Sequence, residues 1–146
     1  MNLETPKSKE AVGYIEVAVA IIERGGKFFV AQLAPKKPYA GKWEFPGGKI
    51  RENKEEKRME TPEKAMRREI MEELGVEVDI VSALPTIDHD DHRPDGKLFR
   101  LHGFICKIGQ GPLKMDQEHI RHHWATPDEL KELDLLESDK QLLSFL

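Results

Sequence analysis

Between Glu60 and Val76 the chain reads ETPEKAMRREIMEELGV, and this stretch leaves little freedom about its own shape. Thr61 suits an N-cap, Pro62 a first-turn position where a missing N–H costs nothing, Glu63 the positive end, and Gly75 the stop. A helix over Thr61 to Leu74 follows. Met66, Ile70 and Leu74 then share one stripe for burial, while Glu69, Glu72 and Glu73, at i, i+3 and i+4, project side by side from an adjoining face. Like charges at that spacing destabilise a helix by about 0.2–0.5 kcal/mol per pair, so a compensating cation is expected. Carboxylate oxygens suit a hard ion such as Mg²⁺, whereas zinc favours His or Cys. On these residues alone a solvated acidic face fits equally well.

Strand patterns surround that helix. The β-branched run Tyr14 to Ile22, the turn Gly25-Gly26 and the returning Lys27 to Gln32 predict a hairpin. Leu33 to Gly41, with Pro35, Pro38 and the pair Lys36-Lys37, reads as a loop before a short strand, Lys42 to Phe45. After the helix, Val76 to Val81 and Leu84 to Asp88 read as strands. Asp95-Gly96 turns the chain into a longer one within Lys97 to Ile108, and Ile120 to Ala125 gives the last. Thr126-Pro127-Asp128-Glu129 repeats the helix-start chemistry of Thr61, and Ser138 is expected to cap a final amphipathic helix through Leu142, Leu143 and Leu146. The fold class expected is α/β (α+β), a mixed sheet between helices.

A chain of 146 residues matches one domain, 1–146, with the polar stretch 1–10 as a flexible end. Asp and Glu total 27 against 23 Lys and Arg, a net charge of −4, which offers no electrostatic footprint for a nucleic-acid polymer. Small nucleotides remain reachable through a metal ion. Cys106 stands alone, and no apolar run marks a leader or a membrane span, so a cytoplasmic protein, monomer or homodimer, is the expectation.

Gly47 and Gly48, in WEFPGGK (Trp43 to Lys49), allow backbone to approach a ligand closely just ahead of the acidic helix and Arg68. Together these residues resemble the box of the Nudix hydrolases: Gly, five residues, Glu, seven residues, Arg-Glu, an aliphatic residue, any residue, Glu-Glu, any residue, Gly and an aliphatic residue. Glu60, Arg68, Glu69, Ile70, Glu72, Glu73, Gly75 and Val76 fill the later positions. Eleven residues, Lys49 to Met59, separate Gly48 from Glu60 where the pattern has five; the six extra fall in the charged segment RENKEEKRM and read as a longer surface loop.

The WEFPGGK stretch is most similar to the MutT-like nucleoside triphosphate pyrophosphohydrolases. That resemblance implies an α/β/α sandwich and Mg²⁺-dependent hydrolysis, with Mn²⁺ as an alternative ion, of a small nucleotide such as 8-oxo-dGTP to the monophosphate and pyrophosphate. CTP- or dCTP-type substrates, or another nucleoside diphosphate derivative, are the alternatives, and a non-catalytic binding module a further one. It assigns the carbonyl of Gly47, Glu69, Glu72, Glu73 and Glu118, six residues before Trp124, to the metal. Glu69, Arg68 and Glu60 carry catalysis, with Glu69 preferred as base. Phe45, Gly48, Lys49 and Asp139 meet the substrate, with Tyr39 and Phe99 as weaker neighbours. Where many relatives have a phosphate-contacting Arg after the second strand, this chain has Leu33; Lys36 or Lys37 would have to substitute without Arg's bidentate geometry. His89, His92, His119, His122 and His123 show no zinc spacing, and His102 suits a partly buried strand position.

Overall fold

The computed structural model describes residues 13–35, 38–114 and 119–146. Strand β1 (Tyr14–Arg24) runs through the middle of the sheet, and its continuous apolar stretch, Val17 to Ile22, follows from being covered on both faces. Ala18, Ala20 and Ile22 face one core cluster and Val19 and Ile21 the other. The strand β2 (Lys27–Leu33) returns antiparallel through Gly25-Gly26, with Glu23 opposite Phe28. Next come β3 (Trp43–Glu44), which pairs with β2, and β4 (Gly47–Lys49), which pairs antiparallel with β1. A separate two-stranded ribbon, β5 (Glu52–Asn53) and β6 (Arg58–Met59), precedes helix α1 (Pro62–Leu74).

The chain then adds β7 (Asp79–Ala83), β8 (Ile87–His89), β9 (Leu98–Lys107) and β10 (His119–Ala125). The sheet order is β10-β2-β1-β9-β7, with β8 also against β9. Among the described strands β1 and β9 form the one parallel pair, from Tyr14 with Leu98 to Glu23 with Lys107, and the intervening chain carries α1 across one face as such a crossover requires. Helices α2 (Pro127–Glu132) and α3 (Glu137–Lys140) and a final 3₁₀ turn, Leu143–Phe145, belong to the other face. The result is a mixed sheet between helical layers, as the sequence led one to expect.

Ala65, Met66, Ile70 and Leu74 of α1 pack on Ala18, Ala20, Ile22, Phe29, Phe104 and Cys106. Leu130, Leu135 and Leu142 fill the opposite layer with Val19, Ile21, Val30 and Leu101. Each fully buried large apolar side chain contributes roughly 1.5–3 kcal/mol. The α1 boundaries are local in origin. Thr61 Oγ1 accepts the Lys64 N–H at 3.2 Å, and Gly75, at φ 69°, directs its N–H to the Met71 carbonyl at 3.0 Å. At α2, Thr126 and Glu129 complete a reciprocal capping box.

Three expectations change. The last helix divides: α3 starts after Leu136, Ser138 lies inside its first turn without capping, and a 3₁₀ turn follows Leu142, which is buried in the core. The extra residues before Glu60 are not a plain loop but the β5–β6 ribbon. Asn53 Oδ1 accepts from the N–H groups of Glu55 and Glu56, both at 3.1 Å, and so turns it. Gly47 to Lys49, unmarked as a strand by its glycines, joins β1.

Candidate active site

The two glycines of β4 set the site. Gly47 holds φ 155°, and a Cβ there would stand 2.1 Å from the Ala18 carbonyl oxygen; a Cβ on Gly48 would fall 2.4 Å from the carboxyl carbon of Glu69. Glycine alone therefore fits between β1 and the acidic face of α1. Gly47 N–H donates to Glu73 Oε2 at 3.0 Å, which ties the strand to a carboxylate only 8 % exposed.

Arg68 is the hub of this face. Its Nε and Nη2 donate to the two oxygens of Glu60 at 2.9 and 2.7 Å, a bidentate pair; Nη1 reaches Glu69 Oε1 at 2.7 Å and Glu72 Oε1 at 3.3 Å, and Nη2 also reaches the Lys49 carbonyl at 3.1 Å. Glu60 further accepts the Arg51 N–H at 2.9 Å. Bonding to Arg68 holds the Glu60 carboxyl down at about 2, and the same bonding raises the Arg68 guanidinium above its ordinary value. Glu69 is different: burial pushes its carboxyl up, against the pull of Arg68. One arginine thus serves three glutamates whose environments differ, the pattern by which carboxylates acquire separate roles.

The residues suit a hard divalent cation. Gly48 leaves its cradle open to the Glu69 carboxylate, and the nearby donors, Glu69, Glu72, Glu73 and the Gly47 carbonyl, are all oxygen. Among the described residues no three His, Cys, Asp or Glu side chains converge as a closed metal cage, because Arg68 lies between Glu69 and Glu72. Glu118, together with Lys36 and Lys37, lies outside the described residues.

Beside this face opens a cavity of about 450 Å³. Gly47, Gly48 and Lys49 line it near α1, and Phe45, Asp139 and Ser138 near α3. Asp139 is 4 % exposed, and its Oδ2 accepts the Phe45 N–H at 2.9 Å. Burial, and secondarily the charge of Glu44, pushes its carboxyl up to about 8. The side chain is thus a neutral acid below that point, able to donate as well as accept. Leu33, Tyr39 and Phe99 also line the cavity, so the leucine at the expected arginine position adds an apolar wall.

Sequence reading missed Glu44, which lines the cavity and meets His119 Nε2 at 2.7 Å, and also His89 and Asp91. Glu44 was legible in principle: it alternates with Trp43 and Phe45 in an extended segment. The other two come near the site only through tertiary folding.

A model of the NUDIX domain matches residues 14–146. The chain belongs to the Nudix family. The CTP pyrophosphohydrolase of Escherichia coli K12 is 33% identical over 129 residues, 88% of each chain. An 8-oxo-dGTP diphosphatase of Proteus vulgaris is 39% identical over 77 residues, 52% of this chain and 63% of its own. The solution structure of the E. coli ORF135 protein superposes with a TM-score of 0.75 at 32% identity, covering 92% of this chain and 89% of that one. The protein is therefore a MutT-like Nudix hydrolase. Among its described residues no helix is long and apolar enough to cross a membrane.

Proposed function

We propose that this Nudix hydrolase cleaves nucleoside triphosphates to the monophosphate and pyrophosphate with Mg²⁺, or Mn²⁺ in its place, and acts in nucleotide-pool sanitation on substrates such as 8-oxo-dGTP. The observation that carries this reading is the continuity of the Arg68-organised glutamate face, through Gly47 and Gly48, with a cavity that ends on Asp139. Glu69, Glu72, Glu73, Glu118 and the Gly47 carbonyl would hold the ion, which supplies charge neutralisation at the diphosphate and acidifies a water for in-line attack at phosphorus.

The chain's own residues do the positioning. Arg68 fixes Glu69 and Glu72 in register, and Glu60, held ionised, anchors Arg68 from the other side. Glu69, whose proton affinity burial raises, is the preferred base. Glu73 holds β4 against α1, and Gly48 and Lys49 flank the phosphate path. At the far end, Phe45 packs at the base and a neutral Asp139 pairs with an edge that alternates donor and acceptor, as the O6/N1–H edge of guanine and the N3/N4–H₂ edge of cytosine both do.

A second reading, CTP or dCTP as substrate, is favoured by the relative that matches 88% of this chain and is a CTP pyrophosphohydrolase. Pyrophosphate release from 8-oxo-dGTP, dGTP, CTP and dCTP, with Mg²⁺ and with EDTA, separates the two, and AMP release from ADP-ribose would point instead to another nucleoside diphosphate derivative. Glu73→Gln is expected to lower Mg²⁺-dependent turnover by about tenfold to a hundredfold, the usual cost of disturbing a metal site's support. Full activity in that variant removes Glu73 from the metal set.

A further inference from the structure

Away from the glutamates, the same cavity carries a polar chain that hydrolysis does not use. Tyr39, between β2 and β3, donates its hydroxyl proton to Oδ2 of Asp91, in the segment after β8. His89 Nε2 lies 3.6 Å from Oδ1 of the same carboxylate, and Gln141 Nε2, just past α3, lies 2.6 Å from His89 Nδ1. An amide NH₂ only donates, so Nδ1 is the acceptor and the neutral ring keeps its proton on Nε2, facing Asp91. Asp91 Oδ2 thus accepts the Tyr39 hydroxyl, while the His89 ring stands near Oδ1 without reaching hydrogen-bond distance. Its bond with Tyr39 also pushes the tyrosine hydroxyl above its ordinary value, keeping it protonated.

The placement is informative. Tyr39, His89 and Asp91 all line the cavity, together with Pro38 and Phe99. Their anchor, Gln141, sits two residues beyond Asp139, which places the network beside the α3 wall of the cavity. Tyr39 is 49 % exposed, whereas the side chains of Asp91 and His89 are 25 % and 15 % exposed. An open aromatic ring is thus held by a more sheltered pair from a different part of the chain. Tyr39 also adopts φ 65°, a backbone region that a bulky residue occupies only when its surroundings fix it.

We propose that Tyr39, oriented by Asp91, with His89 and Gln141 behind that carboxylate, determines nucleoside specificity by presenting its ring and hydroxyl oxygen to the base. This rests on the reading of the cavity as a nucleotide site. With its O–H directed at Asp91, the Tyr39 oxygen keeps lone pairs for an exocyclic amine, and its ring offers a stacking surface. Asp91, His89 and Gln141 act through Tyr39 and are positioning residues.

The test is a double-mutant cycle on binding, read by calorimetry with the α,β-methylene analogues of CTP and dGTP, which bind without being cleaved between the α and β phosphorus atoms. Tyr39→Phe and Asp91→Asn are each expected to weaken the preferred analogue about threefold to tenfold, with the double variant no weaker than the worse single one, as members of one network behave. Tyr39→Ala, which also loses the ring, weakens it roughly thirtyfold. With cleavable triphosphates the same variants raise KM and leave kcat within about twofold. Multiplicative effects in the cycle, unchanged affinity in both single variants, or a loss confined to kcat overturns the assignment, as does a wild-type protein that binds neither analogue. Analogue binding that depends on Tyr39, in a protein that releases no pyrophosphate, supports the role of Tyr39 and overturns only the hydrolytic reading.

Discussion

Asp139 is where a single residue sets a measurable property of the whole protein. Its folded value of about 8 lies above the ordinary 3.8, so the folded state holds this proton more tightly than the unfolded chain does. The resulting stabilisation is complete below about 3.8, declines as pH rises, and is lost as pH passes about 8. Asp139→Asn keeps an acceptor for the Phe45 N–H and cannot ionise. Urea unfolding at pH 5 and pH 8 should show wild type losing about 3–4 kcal/mol more than the variant between the two values. Equal losses would mean that Asp139 is ionised in the folded protein. Such a residue is only half legible in a sequence: its place near the last helix was readable, but the burial that neutralises it arises only once the chain folds. Tyr39 and Asp91 were less legible still, because neither has a local pattern that announces the other.

At the level of elements, legibility followed locality. Helix α1 was readable to within a residue, because Thr61, Pro62 and Gly75 act on their own neighbours. Strand β4 was not, since its pairing depends on β1 and its glycines carry no strand propensity. The final helix was read as longer than it is: the 3₁₀ turn after Leu142 sets aside the simple helical period. The β5–β6 ribbon makes a sharper case. Residues 51–59 are exposed throughout, while Arg51 and Glu60 close its base through a backbone bond, Glu60 N–H to Arg51 carbonyl at 2.8 Å. Excising residues 53–58 would restore the five-residue spacing of the Nudix box and remove no core contact. Thermal unfolding of the excised protein is expected within about 3 °C of wild type, because exposed segments change stability by about 0.5 kcal/mol or less. A much larger drop would show that the ribbon supports Glu60 and Arg68 from outside.

For the whole molecule, the candidate site lies where the two helical layers and the sheet meet: α1 supplies the glutamates, β4 the glycines, and α3 Asp139. A nucleotide that spans this arrangement binds only when all of them are assembled. The α,β-methylene analogue of its preferred triphosphate, with Mg²⁺ and at a hundred times its Kd, should stabilise the fold by about 2.7 kcal/mol, raising Tm by roughly 5–10 °C for a chain of this size. Addition of EDTA should abolish most of that shift if the ion and nucleotide bind together; a shift indifferent to EDTA would separate them.

The parallel pairing of β1 with β9 also has a temporal meaning. Tyr14 cannot find Leu98, nor Glu23 find Lys107, until the chain between them has been made, so the middle of the sheet is among the last contacts available during synthesis. Until then the apolar residues of β1 have only the β2 hairpin, β4 and α1 to cover them, and loop closure over so long a span slows the search. Until β9 emerges, the nascent chain therefore carries an exposed strand edge, which makes β1 a segment in need of protection from aggregation while the protein is being born.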